Sequence, residues 1–179
     1  MENFDVILKL ADLSFAERLL DYQIRNKEFL EPFTPKRRES FYTIEKQQQI
    51  LLQNIESFEK YQGYCFYIFS IKENLIIGSI NLSNIVRSIF QSCFLGYSLD
   101  KDFTNNGYMS FAIREIVKFA FDKLKLHRIE ANVMPRNTPS IRVLEKNNFI
   151  NEGVSKDYLK INSKWEDHIH MVLLNNRLT

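Results

Sequence analysis

The sequence predicts one α/β domain whose mixed, mostly antiparallel sheet of about seven strands is flanked by about four helices. Three observations lead there. The chain of 179 residues is one domain's worth and long enough to bury most of the surface its unfolded form exposes. Apolar residues recur with a helical period in some segments and with strand character in others. Their order, β-α-α-β-β-β-α-β-α-β-β, interleaves the two kinds of element along the chain. With 45% hydrophobic and 26% charged residues the composition is globular, and 15 Phe and 8 Tyr give an aromatic core; disorder is excluded.

A strand over about Asp5 to Leu10 opens the chain. Asp12, Leu13 and Ser14 then offer N-cap chemistry before Phe15, Leu19, Leu20 and Ile24, a spacing that suits an amphipathic helix ending near Asn26. Pro32, Pro35 and the basic triplet Lys36, Arg37 and Arg38 make 31–40 a loop. Ile44, Leu51, Leu52, Ile55 and Phe58 mark a second helix, which Gly63 ends. From Tyr64 the period changes: a strand apolar on both faces, a turn at 72–75 and a return over 76–82 make a hairpin. A third strand runs over about 93–99, where Gly96 marks a bulge or a close approach to the backbone.

After a polar segment at 100–107, Ile113, Ile116, Val117, Ala120, Phe121 and Leu124 form the apolar stripe of a long helix. A strand at 128–134, a short helix at 139–147 and a closing hairpin of 149–161 with 165–174, turned at Asn162 and Ser163, complete the domain.

A formal charge of +2, with no run of one sign longer than the triplet at 36–38, gives no reason to expect direct nucleic-acid binding. Cys65 and Cys93 sit in apolar strands without CxxC spacing and read as reduced core thiols. Glu2 and Asp5 make the N-terminus acidic, with no apolar block behind it, which argues against a secretory signal. No run approaches the ~20 apolar residues that span a bilayer. A cytoplasmic protein without membrane association is expected.

The segment Phe103-Thr104-Asn105-Asn106-Gly107-Tyr108-Met109 places a turn of residues suited to positive φ directly before the long helix. The first amides of a helix have no internal partner, and their dipoles make the N-terminus attractive to a phosphate. An ordinary strand-to-helix turn has the same composition, so the loop alone leaves both readings open.

Read together, Phe94-Leu95-Gly96-Tyr97-Ser98-Leu99, the Asn-Gly loop, His127-Arg128-Ile129, and Asn137-x-x-Ser140 before Asn147-Asn148-Phe149 resemble the GNAT acetyltransferases. Asn26-x-x-Phe29-Leu30-x-Pro32-Phe33, Lys156-Asp157-Tyr158 and Trp165-x-Asp167-His168 are similar to the ribosomal-protein-alanine N-acetyltransferases within that family. The resemblance spans nearly the whole chain. It implies a single GNAT domain with the sheet splayed where the Gly96 and Arg128 strands part, and acetyl-CoA lying in the opening. Its pyrophosphate would rest on backbone amides of Asn105, Asn106, Gly107, Tyr108 and Met109, with Leu99, Asn137 and Arg142 as further cofactor contacts. The loop departs from the family's usual Gln or Arg, x, x, Gly, x, Gly or Ala: of the six positions Thr104 to Met109 only the central glycine is kept.

The resemblance further implies acetyl transfer to a primary amine, the N-terminal alanine of a ribosomal protein, directly in a ternary complex and without a metal. An α-amine suits this chain. At pKa ≈ 7.7–8.0 roughly a tenth to a fifth of it is neutral at pH 7, whereas a lysine is protonated by about 3.4 units. The strand at 93–99 carries no carboxylate where many family members place one. Glu130 is a candidate base, with a solvated strand face as the alternative, and the base stays unassigned. Where many members carry a leaving-group Tyr this chain has Leu144, and Ser140 resembles the serine that serves in the ribosomal-protein subgroup. On helix-start chemistry alone, Thr138 would be the N-cap, Pro139 the first helical residue and Ser140 a bystander.

Phe29, Phe33, Tyr97, Tyr158 and Trp165 are candidate acceptor-binding residues through the same resemblance, with core packing the alternative for each. His168 and His170 share a strand face, but no third ligand is in view and no metal is expected. Two rivals stay open. One is acetylation of a small-molecule amine, because acceptor loops vary on a constant platform; the other is a non-catalytic acyl-CoA-binding domain. A monomer or a homodimer would serve any of these.

Overall fold

The structure, a computed structural model, describes residues 5–176; Glu2 of the acidic N-terminus lies outside them. The alternating segments form seven strands: β1 (Val6–Leu10), β2 (Tyr64–Ser70), β3 (Leu75–Val86), β4 (Ser92–Leu99), β5 (Arg128–Val133), β6 (Ile150–Ile161) and β7 (Lys164–Leu174). They join one sheet in the order β1-β2-β3-β4-β5-β7-β6. Every neighbouring pair is antiparallel except β4 and β5, which are parallel and pair over three residues alone, Ser92↔Arg128, Cys93↔Ile129 and Phe94↔Glu130. Beyond Phe94 and Glu130 the two strands part, and this opens the sheet in its middle.

Helices cover both faces. On one face α1 (Ala16–Arg25) and α3 (Ile44–Glu59) set Leu19, Tyr22 and Leu51 against Tyr67, Phe69 and Ile76. On the other, α4 (Tyr108–Lys118) and α5 (Thr138–Lys146) pack Ile113, Ile116 and Leu144 on Ile68, Ile80, Ile129 and Ala131. Each Leu, Ile or Phe among them, once buried, contributes about 1.5–3 kcal/mol of hydrophobic stabilisation. A single turn, α2 (Lys27–Leu30), follows α1. No helix of the described residues is long and apolar enough to cross a membrane.

Three local expectations are corrected, and of the two readings of Gly96 the close approach holds. The second long helix does not stop at Gly63: it ends at Glu59 with Lys60 as C-cap, and Tyr61 takes the left-handed conformation at φ 56°. Gly63 instead lies close to α3, where a Cβ would come within 2.9 Å of Ser57 Oγ. The long helix at 108 gives way after Lys118 to a π-helical turn at Phe119–Lys123. The N-cap of α5 is Asn137, not Thr138, and Asn137 Oδ1 accepts from Ser140 N at 3.3 Å. Thr138 and Pro139 become the first two helical residues, where a missing proline N–H is harmless. The register shift between β3 and β4 falls at Ser83/Val86, beside Asn84 at φ 50°, and not at Gly96. What approaches Gly96 closely is Asn81, whose Oδ1 would be 2.8 Å from an added Cβ.

Candidate active site

The opening between β4 and β5 has two faces with different furnishings. Along β4, Cys93, Leu95 and Tyr97 belong to the core under α4 and α5, so Phe94, Gly96 and Ser98 point the other way. On β5, Ile129, Ala131 and Val133 are buried in that same core, and Arg128, Glu130 and Asn132 face the α1–α3 side.

On the α4–α5 face the Tyr97 hydroxyl lies 2.7 Å from Ser140 Oγ and 3.3 Å from the Ser140 carbonyl oxygen. Ser140 stands in the first turn of α5, half-buried, its backbone fixed by the Asn137 cap. Burial pushes the Tyr97 phenol far above its ordinary range, although the bond to Ser140 works against this, so the ring stays neutral and serves as a hydrogen-bonding group. Leu144, one turn further on, is fully buried in the core.

The loop before α4 has the expected backbone. Asn105 sits at φ 63° and Gly107, the N-cap of α4, at φ 79°, both left-handed. No side chain caps α4, whereas Thr43 and Asn137 cap α3 and α5. Asn106 Nδ2 donates to Thr104 O at 3.1 Å, Tyr108 packs its ring near Phe103, and Met109 is buried. The loop is held from behind by a latch that the sequence did not announce. Asp100, fully buried at the end of β4, accepts from the Arg25 guanidinium, from Asn26 Nδ2 and from Asp102 N. Asn26 Oδ1 in turn accepts from Lys101 N at 3.0 Å. The end of α1 therefore fixes the start of the phosphate-type loop.

On the opposite face, a cleft of about 540 Å³ opens between α1, α3 and the sheet, lined among others by Gln23, Arg37, Asn54, Tyr67, Ser79 and Asn81. Its inner wall reaches β4 through Asn81, which lies over Gly96, and through Ser79, 3.2 Å from Ser98 Oγ. The Tyr22 hydroxyl donates to the same Ser98 Oγ at 2.8 Å. Glu130 is engaged at both oxygens: Oε1 lies 2.8 Å from His170 Nδ1 and Oε2 accepts from Arg128 at 3.0 Å. Burial alone would raise its pKa, but the bonds to His170 and Arg128 outweigh burial and hold the carboxyl below its usual value. His170 Nε2 lies 2.7 Å from Ser155 Oγ, so both of its ring nitrogens are used.

A family model described as "Acetyltransferase (GNAT) domain" matches residues 7–150. The chain belongs to the GNAT acetyltransferase family. Probable N-acetyltransferase YjcK of Bacillus subtilis is 41% identical over 170 residues, 95% of this chain and 94% of that protein. The [ribosomal protein uS5]-alanine N-acetyltransferase of Escherichia coli is 38% identical over 166 residues, 92% of this chain and 84% of that protein. The crystal structure of the ribosomal-protein-S5-alanine acetyltransferase from Vibrio fischeri superposes with a TM-score of 0.94 at 36% identity, covering 100% of this chain and 98% of that one. This GNAT protein is thus an acetyl-CoA-dependent N-acetyltransferase related to enzymes that modify ribosomal proteins.

Within the GNAT frame the remaining candidates separate. The Phe29–Phe33 segment is drawn to the β6–β7 hairpin: Asn162 Nδ2 donates to Glu31 O at 2.7 Å, and Arg136 bridges Pro32 O and Glu166. Phe29 and Trp165 are exposed near this junction, Phe33 is half-buried, and Tyr158 packs on His168 and His170. Leu99 ends β4 opposite Gly78, and Arg142 is exposed on α5. The residues that sequence reasoning missed are Asn81, Asp100 and Asn132. Asp100 sits in the turn-rich segment before the loop, but its partners Asn26 and Arg25 are 74 and 75 positions away.

Proposed function

We propose that this protein moves the acetyl group of acetyl-CoA onto the α-amine of a protein N-terminus, with the N-terminal alanine of a ribosomal protein as acceptor. The observation that carries the reading is the parting of β4 and β5 with the Tyr97–Ser140 pair on one side and the polar cleft on the other. The left-handed loop and uncapped α4 N-terminus fit a pyrophosphate, which backbone amides of 105–109 would hold; Asn137, Leu99 and Arg142 would flank the rest of the cofactor. Acetyl-CoA supplies an acetyl group activated as a thioester.

The chain's own residues account for the proton steps. The amine nitrogen bonds to the acetyl carbon, the carbon–sulfur bond breaks, and the departing sulfur takes the Ser140 Oγ proton as solvent, which receives the proton of the nitrogen, returns one to the serine. Tyr97 orients that serine and returns a hydrogen bond to it. The nitrogen gives up its proton to water in the cleft. An α-amine is partly neutral at pH 7, so no strong base is demanded. Glu130, low in pKa and engaged at both oxygens, acts in this reading by orienting His170 in the acceptor wall. Phe29, Phe33, Tyr158 and Trp165 would border the acceptor chain where the α2 segment meets the β6–β7 hairpin.

The test is a competition assay with acetyl-CoA and equal concentrations of an Ala-starting peptide, its Nα-blocked form carrying one lysine, and free polyamine, read by mass spectrometry. The expected product is the Nα-acetyl peptide, with at least tenfold less of the others. Preference for the free amine would replace the protein acceptor with a small molecule.

A further inference from the structure

Among the described residues two buried side-chain atoms have no hydrogen-bond partner, Gln47 Oε1 and Asn132 Oδ1. The second lies on β5 beside the opening between β4 and β5. Counting on from Phe94↔Glu130 brings Asn132 level with Gly96 across the opening, on the face of the sheet that the cleft occupies. A buried carbonyl oxygen without a donor is destabilising, and native structures keep few of them. Two potential donors on this face, His170 and Tyr22, are already committed. His170, directly beside Asn132 in the β5–β7 register, spends one ring nitrogen on Glu130 and the other on Ser155. Across the opening the Tyr22 hydroxyl donates to Ser98. An external N–H is what this oxygen lacks.

We propose that Asn132 Oδ1 holds the acceptor's primary amine by one of its N–H bonds, with the Asn81 amide above Gly96 as the opposite jaw of the same seat. The inference rests on the acetyltransferase reading and deepens it. Tyr97 and Ser140 lie on the α4–α5 face, whereas Asn81 lines the cleft and Asn132, by the alternation along β5, is on the same face of the sheet as Asn81. The amine therefore enters from one face of the sheet while the sulfur departs toward the other. A neutral amine held by an N–H keeps its lone pair free to attack, which an acceptor oxygen permits and a donor in the same position would not. Asn132 is thus assigned to amine binding and not to the cofactor.

The experiment compares wild type with Asn132→Leu and Asn132→Asp, measuring acetyl-CoA affinity by calorimetry, kcat and KM for an Ala-starting peptide and for a small primary amine, and the thermal midpoint. Asn132→Leu should lower kcat/KM for the amine by about 10- to 100-fold, leave acetyl-CoA affinity within about twofold, and hold or raise the midpoint because an orphaned oxygen is gone. Asn132→Asp, which keeps an acceptor oxygen, should recover most of the lost kcat/KM. Unchanged kcat/KM in Asn132→Leu, an equal loss of acetyl-CoA affinity, or a midpoint lowered by several degrees would each overturn the assignment. An active wild type separates the two levels: its variants judge Asn132 alone. A wild type inactive on every amine would overturn the acetyltransferase reading and this inference with it.

Discussion

The two faces of the opened sheet are built from different materials. On the α4–α5 side the proposed cofactor seat is mostly backbone: left-handed Asn105 and Gly107, an uncapped helix start, and one hydroxyl pair, Tyr97 with Ser140. On the α1–α3 side the proposed acceptor seat is mostly side chain: Asn81, Ser79, Ser98, Asn132 and the Glu130–His170–Ser155 chain. Backbone amides are present whatever the side chain, so the first seat tolerates the change from the family's usual residues to Thr104 and Met109. Side-chain seats have no such tolerance. On the proposed assignment, cofactor use is set by conformation and acceptor choice by composition.

Predictions that strain this contrast begin with the latch behind the loop. Asp100→Ala leaves the Arg25 guanidinium and the Asn26 amide without their buried acceptor and should cost about 3–5 kcal/mol of stability, read by denaturant unfolding. A loss below about 1 kcal/mol would mean that the latch does not hold the loop. Gly107→Val comes next. A β-branched residue at φ 79° is strained by at least about 1–2 kcal/mol, and acetyl-CoA affinity should fall by a factor of ten or more while the sheet stays intact by circular dichroism.

Ser140→Ala sharpens the chemical half of the comparison. It should reduce kcat by about 10- to 100-fold with acetyl-CoA affinity unchanged, because a thiol of pKa near 8.5 leaves moderately well unaided. Equal rates would remove Ser140 from the reaction. A smaller effect belongs to the opposite face. Glu130 is held below the ordinary glutamate value by His170 and Arg128 against the upward push of burial. Its contribution to stability is therefore present above the unfolded value and lost as pH falls through the folded one. Unfolding free energy should decline below about pH 4.3, and Glu130→Gln should flatten that decline. The smallest effect is Thr104→Gln, which restores a family side chain beside a backbone seat and should alter acetyl-CoA affinity by less than about threefold.

Much of this was legible in the sequence because it is written in local period and turn chemistry. The hairpin turned at Asn162 and Ser163 is real, with both residues at positive φ. The Asn-Gly loop was legible for the same reason. The alternation along β4, which sequence period alone does not orient, turns Tyr97, an acceptor-contact candidate, to the α4–α5 side and onto Ser140. What was hidden depends on register between distant strands. Asn132 gains its meaning from lying level with Gly96, and Asn81 from β3 pairing at Asn81↔Gly96; neither relation leaves a local trace. The Thr138 cap failed for a different reason: adjacent Asn137 and Thr138 are both good caps, and the loop from Met134 decided between them.

The central claim is that a conformational loop, with one family glycine left, still seats acetyl-CoA beside the opened strands. The most direct measurement is a calorimetric titration of acetyl-CoA into the purified, nucleotide-free protein, repeated with Gly107→Val. Micromolar binding by wild type, weakened at least tenfold in the variant, is the expected result. No heat at millimolar acetyl-CoA, or equal binding by both proteins, would contradict the account.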